Sequence, residues 1–409
     1  MKFSEFSERA YAVATSGSGP VPVEALGNIY PDFGHRYRQK VAPVIGVPGR
    51  PVVELGIGTY FSCDNEIVEA AVAALRGGHT RYETVEPLKA AICAKFRDEH
   101  GLSLANDNVL LLGGARPGMA ISLLAGINPG DRIVIPDPDY IGLTHMASAV
   151  GAEVIRSPMT RNADGSLTLD LDHLAALAKG GLAAMILTNP NNPTGNVLTR
   201  EALAALSAIS ERYGAFVMVN EIYDKLVHTG HFTSYSAVGN PENSIVVGGT
   251  SKSYEMTGFG IGWLVSSAAN VAQMEDLAFL THQSKPDVMS QYAALAALSL
   301  PLRDSSPARS RLTLAANAAA TCAALDAYEC CRCPSPAAGQ FAFPYVAADD
   351  LQLARFLLRE VALQVVPGSV WGRMGAGHLR IALANTPDHQ AEGLARLREG
   401  IARFRAQAA

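Results

Sequence analysis

From about Pro51 the chain alternates short, uniformly apolar runs with longer stretches whose apolar residues recur every three or four positions. Runs of the first kind suit strands buried on both faces and stretches of the second kind suit amphipathic helices, so their alternation predicts a mostly parallel sheet covered by helices. PVVELGIG reads as a strand, followed by NVLLLGG, DRIVIPD, AAMILTN, AFVMVNE, SIVVGG and IGWLVS, each bounded by turn residues. Asn65 to Gly78 reads as a helix: Ile67, Val68, Ala71, Val72 and Leu75 share one face, and Asp64 and Gly77 offer end signals. After about Pro301 the character changes to a long alanine-rich helical stretch, then FAFPYV, a helix from Asp349, HLRIALA and a last helix. In that last helix Leu394, Leu397, Ile401 and Phe404 are spaced by threes and fours. The fold class is therefore α/β, with a large domain over residues 51–300 and a small α+β domain over residues 301–409. Residues 1–50, rich in Gly and Pro and containing IYPDFGHRYR, read as an arm that joins the small domain and packs on another surface.

A length of 409 residues, 48% apolar and 17% charged, supplies enough material for one large core plus a second domain. A formal net charge of -5 without any basic run leaves no footprint for nucleic acid or an anionic membrane, so a small soluble molecule is the expected partner. The opening MKFSEFSERAYAVATSGSG has no apolar core behind basic residues, and no window reaches the roughly 18 apolar residues of a membrane span. Both features point to the cytoplasm. The six cysteines, Cys63, Cys93, Cys322, Cys330, Cys331 and Cys333, do not form a secreted disulfide framework and are expected to be reduced. A metal reading of Cys-Cys-Arg-Cys needs a fourth ligand from elsewhere, so these are read as free thiols on a helix-to-loop boundary.

Chemistry concentrates at the ends of successive predicted strands, where open α/β sheets place ligands: GGARPGM at 113, PDPDYIG at 136, NPNNPTG at 189, NEIYDK at 220, TSKSYEMTGFGIGW at 250 and LRIALA at 379. Each alone is a turn, a loop or a surface charge. Together and in this order they resemble the fold-type I pyridoxal 5'-phosphate (PLP) enzymes of the class I and II aminotransferase family over nearly the whole chain. The resemblance implies a seven-stranded, aspartate-aminotransferase-like PLP domain and a homodimer with a shared active site. It also implies that Lys252 holds the cofactor as a Schiff base and shuttles the Cα proton of an amino-acid substrate, with Ser251 beside it. Asn192 and Tyr223 then hold the ring hydroxyl, Tyr140 stacks on the ring, and Asn220 faces the pyridine nitrogen. Arg380 grips the substrate carboxylate with its planar fork, alongside Asn192. Gly58 lies in a turn near the substrate, and Tyr82 reaches the cofactor phosphate across the dimer interface.

Several positions depart from the family pattern. Asn220 stands where an aspartate normally pairs with the pyridine nitrogen, and an amide offers no charge to hold that nitrogen protonated. Ala115, Gly249 and Gly260 stand where the family commonly has a hydroxyl residue, a serine and an arginine around the phosphate. Backbone amides of Gly114, Ala115 and Arg116 at a helix start can still bind the phosphate, and Arg116 is expected to restore the lost positive charge. The segment TRYETVEPLKAAI is shorter than the family's, which reshapes the substrate mouth; His35, Arg36 and Glu83 are candidates for lining it, but nothing in the sequence orients them and surface positions are expected for each.

Three functions fit this reading, two of them reactions. Amino transfer to a 2-oxo acid has the family behind it. A weakened ring sink favours instead elimination, replacement, cyclisation or annulation, for instance on S-adenosylmethionine, as in the relative of this fold that makes 1-aminocyclopropane-1-carboxylate. A non-catalytic regulator is the third, opposed by the lack of a DNA-binding module in the first 50 residues and by the retention of Lys252, Tyr223, Asn192 and Arg380.

Overall fold

The computed structural model describes residues 50–58, 63–281, 285–301 and 305–408, so the arm expected over residues 1–50 lies, apart from Arg50, outside the described residues. In chain order the first half contains β1 (Val53–Glu54), α1 (Asn65–Arg76), α2 (Glu86–His100), β2 (Val109–Leu112), α3 (Ala115–Gly126), β3 (Arg132–Asp137) and α4 (Ile141–Ala149). It continues through β4 (Glu153–Pro158), β5 (Thr160–Arg161), β6 (Leu167–Thr168), α5 (Leu171–Lys179), β7 (Ala184–Thr188), α6 (Arg200–Tyr213), β8 (Phe216–Asn220) and β9 (Ser244–Gly249). Then come β10 (Gly262–Val265), α7 (Ala268–Thr281), α8 (Val288–Ser299) and α9 (Ser306–Asp326). The C-terminal part holds β11 (Phe341–Ala342), α10 (Asp350–Val361), β12 (Leu363–Gln364), β13 (Val366–Pro367), β14 (Leu379–Ala382) and α11 (Pro387–Ala408).

The central sheet has seven strands in the order β2-β10-β9-β8-β7-β3-β4. Every neighbouring pair is parallel except those made by β10, which runs antiparallel to β2 and β9. Alternate residues feed opposite cores: Val109, Leu111, Met185, Val217 and Val246 face one, Leu110, Leu112, Ile186, Met218 and Val247 the other. Burial on both faces is why these strands read as unbroken apolar runs rather than alternating ones. The parallel strands deliver all their C-terminal ends to one edge of the sheet, where the site lies.

A smaller sheet, ordered β11-β14-β13, carries a third core that includes Leu379, Ile381, Leu394, Leu397 and Ile401. Phe404 packs against that core half-buried. β1 pairs parallel with β12, which ties Val53 and Glu54 to Leu363 and Gln364. Among the described residues no helix is long and apolar enough to cross a membrane.

Two expectations need correction. In α1 the buried positions are Ile67 and Ala74, with Ala71 half-buried, whereas Val68 and Leu75 are 41% and 56% exposed. The helix meets its neighbour along a narrow stripe and not over the broad face read from the sequence. FAFPYV and PVVELGIG shrink to the two-residue strands β11 and β1, because the small sheets offer only short partners.

Candidate active site

A cavity of about 530 Å³ opens at the C-terminal ends of the central strands. Lys252 enters it from the turn after β9, and its Nζ donates to the Gly58 carbonyl at 3.5 Å. Ser251 lines the same wall. Beyond β7 and β8 respectively, Asn192 and Tyr223 are brought together: Asn192 Nδ2 donates to the Tyr223 hydroxyl at 3.3 Å. The Asn192 Oδ1 accepts from Arg380 Nη1 at 3.3 Å, and Arg380 Nη2 donates to the Gly56 carbonyl at 2.6 Å. One amide thus links the tyrosine to the arginine and has its orientation set by a donor on one side and an acceptor on the other.

Arg380 is delivered by β14, where its neighbours Leu379 and Ile381 point into the small-sheet core. Its guanidinium carbon lies 3.8 Å from the centroid of the Phe341 ring and 4.3 Å from that of Trp371. Such rings hold a cation while excluding water from it, which strengthens any carboxylate it grips. Trp371 is fixed in turn by the central sheet, since Arg156 of β4 donates to its carbonyl at 2.6 Å. Asp137, at the end of β3, accepts from the amides of Arg373 at 2.9 Å and Met374 at 3.3 Å. Just before them, Gly372 has φ +128°, and a Cβ there would sit 2.1 Å from Asp137 Oδ1, so only glycine permits this approach.

A second anchoring set lies behind Lys252 and Tyr223. Ser253 Oγ lies 2.9 Å from Asp224 Oδ1 and 3.1 Å from the Ile222 carbonyl, two acceptors for its one proton. Asp224 Oδ2 is paired with Lys95 of α2 at 2.6 Å, and Glu99 joins both Lys95 and Lys225. The two chain segments that carry the candidate catalytic side chains are therefore stitched together on the side away from the cavity.

The other end of the cavity is formed by the start of α3. Gly113, Gly114, Ala115 and Arg116 line it, with Gly114 at φ +121° before the first helical residue. The Gly114 amide, expected among the anion-binding donors, is already used by the Leu112 carbonyl at 2.7 Å. The cradle's backbone donors therefore narrow to the first turn of α3, and Pro117 contributes none. The Arg116 side chain lies along the cavity and its Nε donates to the Tyr140 hydroxyl at 2.9 Å. Gly249 and Gly262 crowd the same region: a Cβ at Gly262 would fall 2.3 Å from the Gly114 carbonyl carbon, and one at Gly249 2.8 Å from the Ile261 carbonyl oxygen, whereas Gly260 is set apart by its φ of +63°. Backbone approaches fill the space that side chains would need.

Asn220, at the end of β8, lines the cavity floor, and its Oδ1 is buried without a hydrogen-bond donor among the described residues. A buried acceptor of this kind fits a ring N–H. Its neighbour Glu221 is buried below the floor and accepts from the Tyr235 amide at 2.7 Å; burial pushes its carboxyl up to about 8. Asp139, before Tyr140, is likewise raised to about 7 by burial while accepting from the amides of Tyr140 and Thr188.

The structure thus gathers Gly58, Gly114, Ala115, Arg116, Tyr140, Asn192, Asn220, Tyr223, Ser251, Lys252 and Arg380 around one cavity. Tyr82 is not on it; it is 81% exposed on its own chain. Glu83 is likewise off the cavity, 3.3 Å from His79, and its carbonyl accepts from Gln291, while His35 and Arg36 lie outside the described residues. Sequence reasoning missed Thr257, which lines the cavity and donates to the Ser251 carbonyl at 2.8 Å, and whose position five residues after Lys252 was the available signal. It also missed Phe341, Trp371, Asp224 and Lys95, for which an aromatic or a charge far away in sequence gives no sign of its partner.

A model of the family described as aminotransferase class I and II matches residues 50–397. Among similar proteins, a putative aminotransferase, YugH, of Bacillus subtilis is 28% identical over 359 residues, 85% of this chain and 91% of its own. The arginine–pyruvate transaminase AruH of Pseudomonas aeruginosa is 28% identical over 343 residues, 82% of this chain and 86% of its own. In fold the chain is similar to the alanine aminotransferase from Pyrococcus furiosus, with a TM-score of 0.84 at 22% identity over 98% of this chain and 100% of the other. It is also similar to the aspartate aminotransferase from Thermotoga maritima, with a TM-score of 0.82 at 24% identity over 94% and 98%.

Proposed function

The chain belongs to the family of class I and II aminotransferases, whose members use PLP, and on that footing we propose that it moves an amino group between an amino acid and a 2-oxo acid. The observation that carries this reading is the contact of Asn192 with both Tyr223 and Arg380 in the cavity that Lys252 enters. When bound, PLP supplies an electron-withdrawing ring that weakens the Cα–H bond of the amino acid joined to it.

The chain's own residues then divide the work. Lys252 Nζ holds the cofactor and afterwards carries the Cα proton. Asn220 Oδ1 accepts the ring N–H, Tyr223 and Asn192 hold the ring hydroxyl, and Tyr140 covers a ring face. The phosphate is held by the first amides of α3 at Ala115 and Arg116, by the Arg116 guanidinium and by Ser251, with Gly114 shaping the turn. Arg380 takes the substrate carboxylate with its fork, steadied by Asn192, and Gly58 leaves room for the substrate. Tyr82 serves the phosphate of a partner subunit in a cytoplasmic homodimer. The cofactor domain is assigned to residues 51–300 apart from β1, whose pairing with β12 and whose Val53, in the core of Leu363 and Leu379, support grouping it with the small domain over residues 301–409.

Asn220 favours one second reading, in which the product keeps its amino group after replacement, cyclisation or annulation, or releases it as ammonia after elimination, because an uncharged amide holds less charge on the ring. Product analysis separates the two. The purified enzyme is given a panel of amino acids with pyruvate or 2-oxoglutarate. Formation of the matching 2-oxo acid together with alanine or glutamate supports amino transfer; turnover without acceptor consumption, either to a product that retains nitrogen or to a 2-oxo acid with free ammonia, replaces it by the second reading.

A further inference from the structure

The cysteines left aside by the site chemistry are not scattered in space. Cys322, near the end of α9, and Cys333, on the segment leading to β11, have their sulfurs 2.9 Å apart. Both residues are half-buried, so a small reagent reaches them. Cys330 and Cys331, adjacent in sequence, are 3.7 Å apart, and Cys330 faces the Arg405 guanidinium instead. Among the described residues no set of three or more metal-ligating side chains is arranged around an ion, which leaves pairwise sulfur chemistry.

We propose that Cys322 and Cys333 form a reactive dithiol site that low-molecular-weight disulfides convert to an intramolecular bridge. The two thiols share one hydrogen bond; donated by Cys333, it lowers the Cys322 thiol below its usual value and raises that of Cys333. Cys322 is therefore the attacking thiolate. It attacks one sulfur of the reagent; the reagent's S–S bond breaks, one half leaves as a thiolate, and a mixed disulfide forms on Cys322. The departing thiolate takes the Cys333 proton, Cys333 attacks the Cys322 sulfur, and the second half of the reagent leaves and is protonated. The protein loses two electrons and two protons, and the reagent becomes two thiols. Cys333 packs on the small-sheet core and also on the cluster that contains Tyr223 and Phe341, so the bridge ties α9 to the wall behind Arg380.

The test treats the full-length protein with oxidised glutathione, blocks remaining thiols with iodoacetamide and digests it without reduction. Trypsin cuts after Arg332 and a glutamate-specific protease after Glu329, so fragments holding Cys322, the Cys330–Cys331 pair and Cys333 separate. The expected product is a cross-linked pair containing Cys322 and Cys333, with a whole-chain mass lower by about 2 Da before blocking and full reversal by dithiothreitol. Cys322→Ser and Cys333→Ser should each abolish this pair, with a stable glutathione adduct accumulating on Cys322 in the second, while Cys330→Ser leaves the pair unchanged. Lasting glutathione adducts on wild-type Cys322 or Cys333, a bridge that uses Cys330 or Cys331, or failure of both thiols to react would each overturn the proposal.

Discussion

Asn220 and Glu221 sit side by side at the end of β8 and answer to opposite faces of the sheet edge, one lining the cavity and the other buried under it. Replacing Asn220 with Asp places a negative charge against the ring nitrogen, so the visible absorption of the bound cofactor should lose its pH dependence near neutrality and amino transfer should quicken by roughly tenfold, equivalent to about 1.4 kcal/mol. Unchanged spectra and rates in Asn220→Asp would show that the amide is not what sets ring protonation. For Glu221 the fold raises the carboxyl from 4.5 to about 8, which means that the folded state favours the protonated form. Its stabilising contribution is then complete below about pH 4.5 and is lost as pH rises through about 8. Glu221→Gln keeps an oxygen for the Tyr235 amide without the charge, so urea midpoints should converge with wild type near pH 5 and diverge toward pH 8, by up to about 1.4 kcal/mol per pH unit. Arg380→Lys keeps the charge but loses the fork that serves Gly56, Asn192 and a carboxylate together; kcat/KM should fall by about 100-fold, or ~2.7 kcal/mol, with the fold intact.

At the scale of elements, the uniformly apolar runs were legible because burial on both sides leaves no polar position to break them, and β2, β3, β7, β8, β9 and β10 all lie within runs read as strands. β4 escaped notice: as an edge strand with Glu153, Arg156 and Ser157 in six residues, it carries no such run. Its Arg156 nonetheless fixes Trp371 beside Arg380, a link that spans 215 positions and leaves no local pattern. The same blindness hid Lys95, whose place in a helix predicts a solvated charge, while its side chain is buried and paired with Asp224. Lys95→Met should cost about 3 kcal/mol in unfolding free energy, because it leaves buried carboxylates short of a cation. It should also lower kcat more than it raises KM, since Asp224 and Ser253 no longer hold the Tyr223 and Lys252 segments together. Adding Asp224→Leu to Lys95→Met should recover stability but not kcat; equal recovery of both would make the pair a purely structural one.

For the whole molecule, the cluster of strand-end motifs was readable as one cavity because parallel strands place all their C-terminal ends together. What assembles across subunits is not written on one chain, and Tyr82, exposed and off its own cavity, is the residue through which a shared site would be felt. If Tyr82 acts in trans, mixing inactive Lys252→Ala with weakened Tyr82→Phe should yield hybrids with one intact site, and about a quarter of the wild-type activity should return on random exchange of subunits. No gain on mixing would remove the trans role. The most direct measurement on the account as a whole is borohydride reduction of the purified, PLP-loaded enzyme followed by peptide mass spectrometry. A phosphopyridoxyl group on the peptide containing Lys252, with the visible absorption band lost in Lys252→Ala, is the predicted result; a label on another lysine, or no label and no band in the wild type, would contradict it.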